Sequence, residues 1–120
     1  MSERIPSLLI KDILNCIERI QLYTTNYSFD DFTANFMTVE ACLYNFHIIG
    51  EAVAKLSEDI KSAEPQVPWK LIKGMRNRLI HGYFGTDLPT VWNIIQNELP
   101  ALKSNLEIIY QKLLQQERRD

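Results

Sequence analysis

Between Pro6 and Tyr23 the apolar residues Leu9, Ile13, Cys16, Ile17 and Ile20 recur at steps of three and four, while Lys11, Asp12, Glu18 and Arg19 fall on other faces. That period belongs to an amphipathic helix with one buried stripe. It returns from about Thr38 to Leu56, where Val39, Cys42, Leu43, Phe46, Ile49, Gly50 and Val53 make a wide apolar face. Between the two, "NYSFDDFTANF" breaks the period, and Ser28 followed three residues later by Asp31 reads as a capping box opening a short helical turn. The stretch "SEDIKSAEPQVP" is polar and carries prolines, so it reads as a loop. Pro68 suits the first turn of a third helix, "PWKLIKGMRNRLIH", and Gly82 is placed to stop it. Pro89 can open a fourth helix, which Pro100 kinks or divides, and residues 116–120 at the charged end are expected to fray. No run alternates with a period of two between hairpin turns, and no repeat is visible. The pattern predicts an all-α fold, an up-and-down bundle of four to five helices.

The totals limit what such a bundle can do. With 120 residues, 46% of them hydrophobic, the chain fits one domain, 1–120, with a real core. A net charge of -2 and a pI near 5.7 exclude a protein that coats nucleic acid nonspecifically. Any contact with RNA must be local. Cys16 and Cys42 have no partner at zinc spacing and sit among apolar residues at helical intervals, as reduced core fillers do. The start, "MSERIPSLLI", has charges and a proline where a secretory leader is apolar, and no stretch reaches the length of a membrane span. A cytoplasmic protein without a membrane segment is expected.

The third helix is where residues with chemistry gather. At about 100° per residue, Leu71, Ile72, Met75 and Leu79 cluster on one side, which is expected to face the core. Arg76 and Tyr83, seven apart, project to one flank; Asn77 and His81, four apart, share the other. Opposite the core side lie Trp69, Lys73 and Ile80, and a solvated face does not ordinarily hold a tryptophan and an isoleucine together. A second subunit is the simplest cover for them, since a twofold axis applies one patch twice. The same angles separate Arg76 from His81 by roughly 140°, so one straight helix does not aim both at one spot. An ordinary helix end accounts for these residues too, because arginines near a C-terminus favour the dipole and a histidine before glycine can cap the last carbonyls.

Elsewhere candidates are few. His47 with Glu40, Tyr44 and Glu51 makes a polar stripe along the second long helix. Glutamate and histidine at this spacing can bind metal, but without a second such pair a bridging hydrogen bond is the better reading. Trp92 and Phe84 read as core or interface aromatics. The sequence has no glycine-rich phosphate loop, serine nucleophile elbow or zinc cluster, so neither a metal nor a cofactor is expected.

The stretch "RNRLIHGY" matches R-x-x-x-x-H-x-Y, the signature of the HepT-like branch of the HEPN ribonucleases. The resemblance reaches along nearly the whole chain: "NFHIIGEAVAKL" is similar to that branch's second helix, "VPWKLIKGMRNRLIHGYFGTD" to its third, and "VWNIIQNELPALKSNLE" to its last. R-x-x-x-x-H alone is a weak pattern. The H-x-Y extension with "IIGEA" and "HGYFG" beside it is much more specific. The resemblance implies a HEPN-like toxin, a metal-independent endoribonuclease active as a homodimer. Its partner is a minimal nucleotidyltransferase antitoxin of the MntA type, which adds AMP to the motif tyrosine. Carried over, Arg76 and His81 are catalytic, Asn77 is the polar residue beside the arginine, and Tyr83 is the modified residue. Glu51, in the "IGEA" segment, is read as a partner that orients Arg76.

The residue types suit that chemistry only in part. Cutting RNA without metal requires a base for the ribose 2′-hydroxyl, an acid for the departing 5′-oxygen, and cations for the charged phosphorane. One histidine and one arginine cover half of this. Two copies across a twofold axis supply the rest, since an imidazole pKa near ~6.5 lets one ring be neutral while the other is protonated. Two other classes stay open: a catalytically silent helical partner that presents substrate or nucleotide to the nucleotidyltransferase, and a plain dimeric scaffold. A pure phosphate clamp needs arginine but not histidine, which favours the enzyme.

Overall fold

The first helix, α1 (Pro6–Tyr23), begins on a proline whose missing N–H costs nothing there. Its N-cap, Ile5, offers no side-chain cap. Glu117, 110 positions away, accepts hydrogen bonds from the Ser7 backbone N–H at 3.1 Å and from the Ser7 hydroxyl. A carboxylate from the far end of the chain thus satisfies an orphan donor and faces the positive end of the helix dipole. A computed structural model describes residues 5–74 and 87–119 of the chain, and among them every regular element is helical.

Leu9, Ile10, Ile13, Leu14, Cys16, Ile17 and Ile20 of α1 are all buried. Each large aliphatic side chain of that stripe stabilises by roughly 1.5–3 kcal/mol relative to exposure. The helix stops where the Thr24 hydroxyl donates to the Ile20 carbonyl at 2.9 Å and Asn26 takes a positive φ of 63°, a conformation asparagine tolerates better than most residues. Next comes the expected capping box: the Asp31 N–H donates to Ser28 Oγ at 3.1 Å and the Ser28 N–H to Asp31 Oδ2 at 2.9 Å, opening α2 (Phe29–Ala34). Asn35 then caps α3 (Phe36–Lys55), accepting from the Thr38 N–H at 3.1 Å while its amide donates to the Tyr27 hydroxyl at 3.2 Å. The core of α3 comprises the predicted Val39, Cys42, Leu43, Phe46, Ile49, Gly50 and Val53, with Asn45 and Ala52 added.

The polar stretch after α3 is not all loop. Ser57 accepts from the Ile60 N–H at 3.3 Å and caps α4 (Glu58–Ala63), with Glu58 and Asp59 in its first turn and Lys61 in its last. No residue of α4 is buried, so capping and charge order, not an apolar stripe, define it. A further helical segment, α5, covers 69–74 and leads toward the motif. After residue 87, α6 (Leu88–Asn93) starts at the Asp87 cap with Pro89 in its first turn, as predicted. Pro100 does interrupt the run. Ile94–Glu98 form a π turn in which the Leu99 N–H reaches the Ile94 carbonyl, and α7 (Leu99–Arg119) follows. A proline cannot donate and its ring crowds the carbonyl four residues back, which a widened turn relieves. Where fraying is expected over 116–120, helix continues to Arg119 and Glu117 accepts from Ser7, while residue 120 lies outside the described residues.

α1 packs against both α3 and α7, and α2 lies on α3 and α6. Lys103 pairs with Glu18 at 3.9 Å and Lys11 stands 5.7 Å over the Tyr110 ring, so α7 runs antiparallel to α1. Phe32 of α2 fills the end of the core against Trp92, ring centroids 5.1 Å apart. This is the all-α bundle that the periodicities predict.

Candidate active site

The signature residues Arg76, Asn77, Ile80, His81 and Tyr83 lie outside the described residues, so the geometry available is that of the elements leading to them. The approach is firmly built. The Pro68 carbonyl accepts the first helical bond of α5 from the Ile72 N–H at 3.1 Å. The Trp69 indole N–H is shared between the carbonyls of Lys61 at 3.1 Å and Glu64 at 3.0 Å, at the C-terminal end of α4. The Glu64 side chain is buried and accepts from Lys112 Nζ of α7 at 3.1 Å, tying the α4–α5 turn to the last helix.

This corrects the expected orientation of the third helix at its start. Trp69 is only 8% exposed and belongs to the core with Ile72, three positions on, whereas Leu71 is 75% exposed. The inward side therefore runs through Trp69 and Ile72, and Leu71 stands about 100° away from Ile72. Trp69 does not sit on an outward face awaiting a second subunit, because α4 and its carbonyls already occupy the indole. Lys73 is exposed, as an outward residue should be.

On α3, the stripe of Glu40, Tyr44, His47 and Glu51 runs from exposed to half-buried: Glu40 and Tyr44 are exposed, and His47 and Glu51 are half-buried. His47 Nε2 approaches Glu51 Oε1 at 4.0 Å, one helical turn apart, which is an ion-pair separation and too long for a hydrogen bond. The other ring nitrogen, Nδ1, is buried and finds no hydrogen-bond partner among the described residues. No group of three or more metal-ligating side chains occurs among the described residues. Both cysteines are buried and unpaired, and burial pushes the Cys42 thiol up to about 12 and raises that of Cys16. Neither thiol is a nucleophile at neutral pH.

The sequence has R-x-x-x-x-H-x-Y at 76–83, and the family model described as "Ribonuclease HepT-like" matches residues 13–109. The chain belongs to the HepT-like ribonuclease family. It is 36% identical over 98 residues to a protein of Thermococcus cleftensis named "Probable ribonuclease HepT", covering 82% of this chain and 89% of that one. Two proteins of Methanocaldococcus jannaschii, whose names give RNase as an inferred activity, are similar over more of its length. One is 37% identical over 109 residues, covering 91% of this chain and 90% of its own. The other is 35% identical over 113 residues, covering 94% and 97%. No solved structure gives a significant match.

For a HepT-like chain the joint at Trp69, Glu64 and Lys112 has a plain use. It fixes the start of α5, and the signature follows Gly74 within two residues in sequence. Periodicity could not find this joint, since Glu64 and Lys112 are 48 positions apart and α4 has no apolar stripe. A signal did exist: Ser57 followed by two acids and then a lysine is the charge order of a short capped helix. No described helix is long and apolar enough to cross a membrane.

Proposed function

We propose that this chain is a cytoplasmic toxin of a toxin–antitoxin pair, a metal-independent endoribonuclease whose active site is composed from two copies in a homodimer. The observation that carries the reading is Arg76, His81 and Tyr83 at R-x-x-x-x-H-x-Y spacing in a chain of this family. His81 of one copy takes the 2′-hydroxyl proton while His81 of the second, protonated, supplies the proton to the leaving 5′-oxygen. The Arg76 guanidinia hold the charged phosphorane. Asn77, a turn before His81 in sequence, fixes the imidazole orientation, and Glu51 orients Arg76. Lys73 and Ile80 remain the contact residues of the dimer, without Trp69.

The antitoxin is a minimal nucleotidyltransferase of the MntA type that adds AMP to Tyr83. A new phosphate beside cations meant for RNA, with an adenosine in the substrate's volume, inhibits on both counts.

The test is expression of the chain without its partner, scoring growth and RNA integrity. His81→Ala and Arg76→Ala are each expected to abolish toxicity and cleavage while helical content and dimer persist. Cleavage by the parent should survive a chelator and leave a 2′,3′-cyclic phosphate. A His81→Ala protein cutting at the parental rate would show that the site is misassigned.

A further inference from the structure

A hollow of about 760 Å³ opens between α3, α5 and the segment from the π turn into α7, within the roughly 300–1,000 Å³ of small-molecule sites. Its described walls are apolar, with Phe46 among mostly aliphatic residues that include Leu71, which α5 holds 75% exposed, and the half-buried Leu102. Among the described residues its polar groups are Gln66, Lys70, Glu98 and Asn105. The amides of Gln66 and Asn105, exposed and half-exposed, make no hydrogen bond among the described residues, so a ligand there competes only with water for them.

Lys70 is the second observation. Lys61, Lys103 and Lys112 pair with Glu58, Glu18 and Glu64, and Lys11 lies over Tyr110. Lys70 and Lys73 of α5, with Lys55 at the end of α3, have no such partner among the described residues. In a chain with 15 carboxylates against 13 basic residues, α5 keeps two unpaired cations just ahead of the signature. Lys70 is the one at the hollow.

Apolar walls suit the faces of a flat ring, free amides suit its hydrogen-bonding edge, and a lysine suits a phosphate attached to it. A hydrocarbon chain makes no use of the amides, and a bare anion makes no use of the walls. We infer that this hollow receives one unstacked base of single-stranded RNA, with Asn105 and Gln66 at its edge and Lys70 on the adjoining phosphate. Glu98 on the opposite rim repels phosphate and so sets the backbone on the α5 side. Duplex RNA keeps its bases stacked and does not fit. The identity of this RNA as the substrate rests on the nuclease reading; the binding does not.

The experiment uses the full chain as His81→Ala, to hold RNA uncut, and follows a short fluorescein-labelled single-stranded RNA by anisotropy. Binding should exceed that of the matching duplex by about tenfold or more, since seating one base is worth roughly 1–3 kcal/mol. On this background Lys70→Ala and Asn105→Ala should each weaken binding several-fold. Ala101→Trp, an exposed lining position where an indole fills the mouth, should weaken it most. Lys55→Ala, an unpaired lysine outside the hollow, should change little. Absence of binding, equal binding of the duplex, parental affinity in Asn105→Ala and Ala101→Trp, or an equal loss in Lys55→Ala would each overturn the inference. Parallel assays with His81 intact separate the two readings. Cleavage with no effect of the hollow variants leaves the nuclease standing and the base site refuted. Base-dependent binding with no cleavage does the reverse.

Discussion

The Trp69 indole N–H lies 3.0 Å from the Glu64 carbonyl, so the residue that opens α5 is bonded to the turn that closes α4. Trp69→Phe keeps most of the buried ring and removes the donor from two carbonyls. Both carbonyls keep a backbone donor, the Glu64 N–H for Lys61 and the Val67 N–H for Glu64, so the loss should be only about 0.5–1.5 kcal/mol, the net value of an ordinary hydrogen bond. Trp69→Ala should cost roughly 3–5 kcal/mol through the cavity. Urea unfolding reads both values. Since Trp69 is enclosed by its own chain, sedimentation should find the Trp69→Phe protein in the parental oligomeric state. Dissociation into monomers without loss of stability would return Trp69 to a subunit interface.

Cys42 predicts a dependence on alkaline pH. Its thiol is displaced from the ordinary 9.0 to about 12, with burial as the cause, so the folded state holds a proton that the unfolded state releases. The contribution to stability is complete below pH 9.0 and is lost as pH rises from there through about 12. Other groups titrate in that window, so the comparison is with Cys42→Ala, whose stability should fall less steeply there. At neutral pH the thiol should resist alkylation until the chain unfolds. Identical slopes for the two proteins, or rapid labelling of the native state, would contradict the assignment.

The sequence shows the helices that an apolar stripe, a capping box or an opening proline marks, and misses α4, which has only the Ser57 cap and its charge order. α1 spans the predicted Pro6–Tyr23, Ser28 and Asp31 form the predicted box, and the run that Pro100 was expected to divide passes through a π turn. What stayed hidden was hidden for one reason. α4 has no fully buried residue, only Ile60 half-buried against the core, so it shows no period, and without α4 the Trp69 side chain has no visible partner and reads as outward. The same shift of phase makes Leu71 read as inward, whereas it is exposed. Likewise the end of α7 looked frayed because it is charged, yet Glu117 is the cap that α1 lacks from its own N-terminus. Contacts over 48 and 110 positions are not local properties of the chain.

With Trp69 withdrawn from the interface, the dimer proposal rests on Ile80 and Lys73. Ile80→Asp should weaken association, because an unpaired carboxylate in an apolar contact is costly to bury. Cleavage should fall with the dimer fraction and recover at higher protein concentration. Lys73→Ala should have the smaller effect, since an exposed charge contributes at most about 1 kcal/mol. A fully active monomer at high dilution would defeat the two-copy site.

Tyr83 is the proposed point of control, two residues after His81 in sequence and beyond Gly82, which is placed to end the helix. On the proposed reading, a group attached to its phenol comes beside the residues that handle the phosphate. An adenylyl group brings a negative charge and a nucleoside, the first competing for Arg76 and the second occupying the place of RNA. Co-expression with the nucleotidyltransferase and ATP should raise the mass of the Tyr83 peptide by one or more adenylyl units and silence cleavage. Tyr83→Phe removes only the acceptor oxygen and retains the ring, so it should remain toxic beside an active partner. The decisive comparison sets Tyr83→Phe against the parent, each with the active nucleotidyltransferase and with one that binds ATP but cannot transfer AMP. If the active enzyme still neutralises Tyr83→Phe, another residue is the acceptor; if the inactive enzyme neutralises the parent, binding alone is the switch.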